Sequence, residues 1–493
     1  MAYDASFLTG SHERPVDPIS TGYLHNDQEI SELENGHTIL VMDGNKLNLA
    51  IESFDQNVEL GNMLHQNIRR GQVLSASMYR ILNLELKQTT KRSSVPFDPL
   101  PAMESLDHMH PRELVIAMEN VVTDTIKSIW ETIKNTFINL HNKIKTWYIK
   151  AWDGSARLMK QAEALKAKAE GMAASSPRET SFEMSGAKFL NINGKIPSPQ
   201  DIGKGVAEIS NITGQLLTTN AEKYTNLFPK IENVLKETIE QAKAMKDSNA
   251  ATPDPNNPPK TSINDAFNGA NNTAAAGSTA TDSTGNSVTL TGDQNKLLVE
   301  IVKEWEAAAK ACNVDMSKPI QNDTRFEAGK ITAYRNQLDL LGSIMLVAAF
   351  PVPPDAQTIE SYGAFKAGFK ISPEPILAQP KEIDDNGTFQ TAQTALVVNI
   401  CENVMSTCDV FLKYKLLYDA RDKATGNLMK QMEGYVSANS NLKGPGQKHI
   451  SNSISATVAC VKKMNDGETR WSKYAMSVLN KAIVYCRTSL NQY

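Results

Sequence analysis

One stretch constrains this fold more than any other. In "NVVTDTIKSIWETIKNTFINLHNKIKTWYIKAW" the residues Val122, Ile126, Ile129, Ile133, Phe137, Leu140, Ile144, Trp147 and Ala151 recur at steps of four and three. Side chains at those spacings share one face of an α-helix, so the pattern predicts a helix of about eight turns with a single apolar stripe. So long a stripe cannot be buried by its own helix. Other helices must cover it, and the fold is predicted to be mainly α.

The remaining chain supplies candidates. "KLNLAIESFDQNVELGNMLHQNIRRGQVLSASMYRILNLELK" reads as two helices broken near Gly71, with Leu47, Ile51, Phe54 and Val58 on one face. After Gly154 a second helix is expected, with Leu158, Ala162, Leu165 and Ala169 inward. "KFLNINGKIPSPQDI" carries an Asn-Gly hairpin signal, then Ser198 and Pro199 as N-cap and first helical residue. Helical pattern continues to about Met245, with a break expected at Pro229. Further on, "KLLVEIVKEWEAAAKAC" reads as a helix, and "SIMLVAAFPV" and "AFKAGFKIS" as strands. Two more helices follow. One has Val397, Cys401, Val404, Cys408, Phe411 and Tyr418 inward, and the last, from about Trp471, has Trp471, Ala475, Val478, Ala482 and Tyr485.

Residues 247–294 are Asn, Thr, Ala, Ser, Gly and Pro with almost no large apolar side chain, a composition that cannot offset its ordering entropy. The expected architecture is elongated multi-helix bundles with small β insertions, in two halves joined by a disordered linker. Its parts are a disordered tail (1–30), an acidic helical propeptide-like segment (31–104), an N-terminal helical domain (105–246), the linker (247–294) and a mainly helical C-terminal domain with short strands (295–493).

Charge is unevenly spread. The chain carries −4 overall, whereas its first 104 residues hold fourteen acidic and eight basic side chains, leaving +2 for the rest. The N-terminus lacks the pattern of a secretory signal, and the apolar run from Leu340 is too short to cross a bilayer, so no transmembrane segment is expected.

Catalytic chemistry finds no foothold. Phosphate-binding glycine loops and nucleophile elbows are absent, so neither catalytic residues nor a cofactor is expected. His108 and His110 lack further ligands at partner spacing, so no metal is expected, and the five cysteines read as reduced core thiols. Lys127, Lys134, Lys143, Lys145 and Lys150, near Trp130, Trp147 and Trp152, have the chemistry to touch DNA phosphates or an anionic surface. Lysines opposite an apolar stripe ordinarily make a solvated face, and this charge is dilute for a dedicated binder.

The order of parts carries a resemblance. "PAMESLD", "IAMENVVTDTIKSIWETIKNTF", the "LNINGK" hairpin, "MLVAAFPVPP", "VNICENVMSTCDVFLKYKLLYDARDKA" and the closing "ETRWSKYAMSVLNKAIVYCRTSLNQY" together resemble the internal head proteins of giant tailed bacteriophages. The resemblance implies a virion component of the head interior, made in the bacterial host cytoplasm, whose partners are other phage head proteins and a prohead protease. That protease cuts after a Glu preceded two positions earlier by a small or aliphatic residue. Ala102, Met103, Glu104 and Ser105 match the pattern, and so do Ala117, Met118, Glu119 and Asn120. Glu104 sits among prolines that favour the extended backbone a protease takes, whereas Glu119 falls where the long helix starts. Cutting at Glu104 also removes the acidic segment. The rival reading is a cellular helical scaffold that binds partner helices through its amphipathic stripes.

Overall fold

The computed structural model describes residues 18–69, 76–93, 111–223, most of 225–236, 279–281, 287–289, 303, 306–320, 331–336, 339–351, 370–375, 383–438 and 445–493. Helices dominate. Helix α1 (Pro18–Arg69) leads to α2 (Ala76–Ser93) and then α3 (Pro111–Gly171), whose 61 residues make a rod about 90 Å long. Strand β1 (Ser181–Ser185), the single turn α4 (Ala187–Leu190) and α5 (Pro199–Gly214) follow, with a π-helical extension over Gln215–Asn220. Strands β2 (Thr279–Thr281), β3 (Ser287–Thr289), β4 (Val314–Pro319), β5 (Ile331–Asn336), β6 (Ile344–Pro351), β7 (Lys370–Pro375) and β8 (Asn386–Gln390) precede α6 (Thr394–Ala438) and α7 (Pro445–Leu490).

Helix α3 is the axis, and α1, α6 and α7 pack around it as a four-helix bundle. Residue pairings give the directions. Gly61 meets Val122, Phe54 meets Trp130 and Leu33 meets Trp147, so α1 runs antiparallel to α3 for about 40 Å. Lys134 meets Glu433 and Lys166 meets Glu402, so α6 is antiparallel as well. Ser155 meets Met476 and Lys168 meets Asn491, so α7 runs parallel to α3.

The α3 stripe is the core that its spacing requires: Val122, Ile126, Ile129, Ile133, Phe137, Leu140, Ile144, Trp147 and Ala151 are all buried. One hydrophobic cluster runs from Leu33 to Leu490 and joins side chains from both sides of residues 247–294. The chain is thus mainly α with small antiparallel insertions, as its periodicity requires.

The helix does not break at Gly154. Packing on both sides outweighs the roughly 1 kcal/mol that glycine costs a helix interior; an added Cβ at Gly154 would make only ordinary contact with Met476 of α7, at 3.5 Å. Helix α1 starts well before Lys46, because Leu33 and Leu40 continue the buried face of Leu47, Ile51 and Phe54. Helix α7 starts well before Trp471. Its first half buries Ser451, Ser455, Lys462, Asn465 and Glu468 beside Ile454, Val458 and Val461, and these polar core residues blur the periodicity. Gly71 lies outside the described residues, as does most of the second expected strand.

Locally, turn and cap chemistry behaves as read. Asn193 and Gly194 both have positive φ, 51° and 74°, and close a tight turn bridged by Ile192 and Lys195. Ser198 caps α5, its hydroxyl oxygen accepting from the Asp201 amide, with Pro199 opening the helix.

Strands β1 and β8 pack beside the last turns of α7, where Phe182 and Phe389 meet Tyr485. β1 pairs with β8 across two hundred residues, and β4-β5-β6-β7 form an antiparallel sheet. Edge strand β7 carries Pro373 and Pro375, positions that only an edge tolerates.

Candidate functional site

The lysine face of α3 is the natural place to look, and the fold puts an acid beside each lysine. Lys127 lies 3.5 Å from Asp124 on its own helix. Lys134 reaches Glu131 and, across to α6, Glu433, both at 2.8 Å. Lys145 bonds Asp422 of α6 at 2.6 Å, and His141 shares that carboxylate. Lys143 and Lys150 turn the other way, to Asp43 and Glu32 of α1, the latter pair at 3.0 Å.

The electrostatics agree with the geometry. Hydrogen bonds that Lys134 donates to Glu131 and Glu433 raise its pKa, and the bond to Asp422 does the same for Lys145. Burial alone would raise Asp422, yet Lys145 and His141 hold it below its ordinary value. The Lys143 ammonium holds Asp43 low. These half-exposed pairs are worth at most about 1 kcal/mol each, so their effect is to set register between helices rather than to stabilise the bundle strongly.

Trp130, Trp147 and Trp152, beside those lysines in sequence, point into the core. Trp147 donates from Nε1 to the Leu33 carbonyl of α1 at 2.9 Å, in a notch left by Gly36, where an added Cβ would sit 3.1 Å from the indole. Gly44 makes a second notch on the same helix for Lys462 of α7, at 3.0 Å. Beside the first notch, His37 of α1 is buried edge-on to Trp147, facing Asp466, Arg470 and Lys473 of α7. Burial, then the two cations, lower its pKa to about 4. Helix α1 is therefore keyed into place by two small residues, a buried neutral histidine and two ion pairs.

A second polar centre was missed by counting apolar residues. On α6 the stripe Phe411, Tyr418 continues through Tyr414 and Arg421, and Arg421 meets Glu468 of α7 deep inside the bundle. One guanidinium nitrogen donates to the carboxylate at 2.8 Å, and the Tyr414 hydroxyl donates to its other oxygen. Tyr148, Trp152 and Tyr418 pack round it. A charge at a position that continues a core stripe was the available signal. With both members almost wholly enclosed, this pair has no route to a substrate and serves to fix how α6 meets α7.

The two cut-site candidates fall in different places. Glu104 and its neighbours Ala102, Met103 and Ser105 lie outside the described residues, as do His108 and His110. Ala117, Met118, Glu119 and Asn120 lie in the early turns of α3, where Met118 and Glu119 are buried. Among the described residues no group of three or more His, Cys, Asp or Glu is disposed to hold a metal ion. Cys312, Cys401, Cys408 and Cys486 are buried free thiols, and burial pushes Cys312 and Cys408 up to about 12.

One feature the apolar-run reading overlooked is in α6, where Thr394–Gly434 is long and apolar enough to cross a membrane by length and composition. In the fold its apolar face, Val397, Ile400, Cys401, Val404, Cys408 and Phe411, is buried against the bundle.

The described residues thus make a long helical bundle that uses the charges of its lysine face in its own seams and encloses its buried ion pair. Residues 80–488 match the phiKZ-like phage internal head proteins, and the chain belongs to that family. Its place is the virion head interior, in a structural role. No curated protein and no solved structure matches it.

Proposed function

We propose that the chain is a non-enzymatic component of the head interior that enters the prohead carrying its acidic N-terminal segment and is trimmed by the prohead protease after Glu104, alongside other head proteins as partners. The observation that carries this reading is the contrast between the two matching tripeptides. Glu119 is helical and buried, so presenting its peptide bond would require the first turns of α3 to unwind, whereas Ala102–Glu104 stands between α2 and α3 among three prolines. Trimming there removes α1 and α2, takes away a net −6, and deprives Lys143 and Lys150 of Asp43 and Glu32. Lys127, Lys134 and Lys145 keep their partners, so contact with packaged DNA falls mainly to Lys143 and Lys150. Synthesis takes place in the host cytoplasm. The test is peptide mapping by mass spectrometry of protein from purified virions. A mature N-terminus at Ser105 is expected; an intact Met1 in mature particles overturns the trimming.

A further inference from the structure

Helix α1 fills a built seat on α3 and α7. From residue 31 onward its inward face closes the apolar stripe of α3 and one side of α7, its notches at Gly36 and Gly44 take Trp147 and Lys462, and its carboxylates Glu32 and Asp43 meet Lys150 and Lys143. It belongs to a unit, α1 with α2, most of which precedes the family-matched residues 80–488. That unit joins α3 through residues 94–110, seventeen residues that reach up to about 55 Å when fully extended.

The outward side of the same unit carries most of the exposed apolar side chains. Of the nine large hydrophobic side chains that stand exposed among the described residues, Ile39, Met42, Leu49, Met63, Ile81 and Leu84 belong to α1 and α2. Acidic side chains keep the helix soluble, yet this concentration of exposed apolar groups marks a surface that meets protein.

We propose that the α1 seat is an exchange site, in which α1 of one copy occupies the seat on α3 and α7 of a second copy while the second returns its own. The occupant whose fit is visible is α1 itself, and the same helix from another copy makes identical contacts. Seated and exchanged forms therefore share the Trp147 bond, the notches and both ion pairs, and differ only in the tether and in concentration. The inference concerns the untrimmed chain and does not depend on where, or whether, it is cut.

The experiment uses full-length chains in a Cys460→Ser background. One chain carries Asp43→Cys and a size tag, and a second carries Lys143→Cys. Both positions are ion-paired at the surface, so the substitutions are mild. The two are mixed, incubated and exposed to a disulfide reagent, which oxidises the two thiols and is itself reduced to thiols. A disulfide-linked heterodimer, increasing with protein concentration, is expected. Glu32→Cys with Lys150→Cys provides an independent second pair should the first fold poorly. If neither pair yields heterodimer while both cysteines placed in one chain cross-link within a monomer, exchange is overturned. Dimers seen by light scattering without an inter-chain disulfide at either pair overturn it too, because they place the interface elsewhere.

Discussion

Replacing Glu468 by Gln removes one charge and almost no volume from the centre of the bundle. Arg421 and Glu468 expose 2% and 5% of their side chains, so neither charge is shared with solvent. Burial alone would lower the arginine pKa, and the Glu468 carboxylate opposes that by compensating the buried charge. With glutamine at position 468 the guanidinium stays protonated and loses its counter-charge in a low-dielectric interior. Breaking a buried pair on one side costs about 3–5 kcal/mol, several times the loss expected from cutting a surface pair such as Lys150 with Glu32. The pair itself is expected to contribute little net stability, since its desolvation offsets its attraction. Arg421→Met with Glu468→Leu should therefore lie within about 2 kcal/mol of the parent, with Tyr414→Phe added so that no buried hydroxyl is stranded. Urea unfolding followed by circular dichroism and by tryptophan fluorescence reads the parent, Glu468→Gln and the triple variant. A Glu468→Gln protein within 1 kcal/mol of the parent, or a triple variant worse than Glu468→Gln, would refute the reasoning.

Three other outcomes follow from the same structure. His37 is neutral when α1 is seated, with a pKa of about 4 against 6.5 when free, so the seated state binds fewer protons between those values. Its contribution is intact above pH 6.5 and is lost as pH falls toward 4, by about 3 kcal/mol at the limit; hydrogen exchange in α1 should speed up over that window, and a His37→Gln chain that keeps the same dependence would exclude this cause. Gly205→Ala places a Cβ 2.5 Å from the Leu341 Cγ, so overpacking of about 1–3 kcal/mol should exceed the roughly 1 kcal/mol gained in helix propensity, lowering the melting temperature; an unchanged or higher melting temperature would count against it. Gly36→Leu should displace the Trp147 indole and loosen α1 from its seat, seen as faster proteolysis within 31–69 and a red-shifted emission; identical protection would show the notch to be unimportant.

Local chemistry was legible in the chain because it depends on near neighbours. The 122–151 spacing determined a long helix and the need to cover it, Asn193-Gly194 determined a tight turn, and Ser198-Pro199 determined where α5 begins. The composition of residues 247–294 and the acidic start were equally plain. The order of segments was also sufficient for the family resemblance that the match over 80–488 bears out.

Only the tertiary structure decided which stripes meet. Lys143 has no acid three or four residues away, and Lys150, with Asp153 three residues on, bonds Glu32 instead; both carboxylates come from α1, about a hundred residues away or more. Arg421 finds Glu468, and β1 finds β8, over separations at which sequence spacing carries no information. Gly154 fails to end α3 because the helix is packed on both sides of it, at Ala151, Trp152, Ser155 and Leu158, and α7 buries serines and an asparagine that no apolar count would place inside. Periodicity reports the face a segment must hide. The partner that hides it is chosen by shape and charge arriving from elsewhere in the chain.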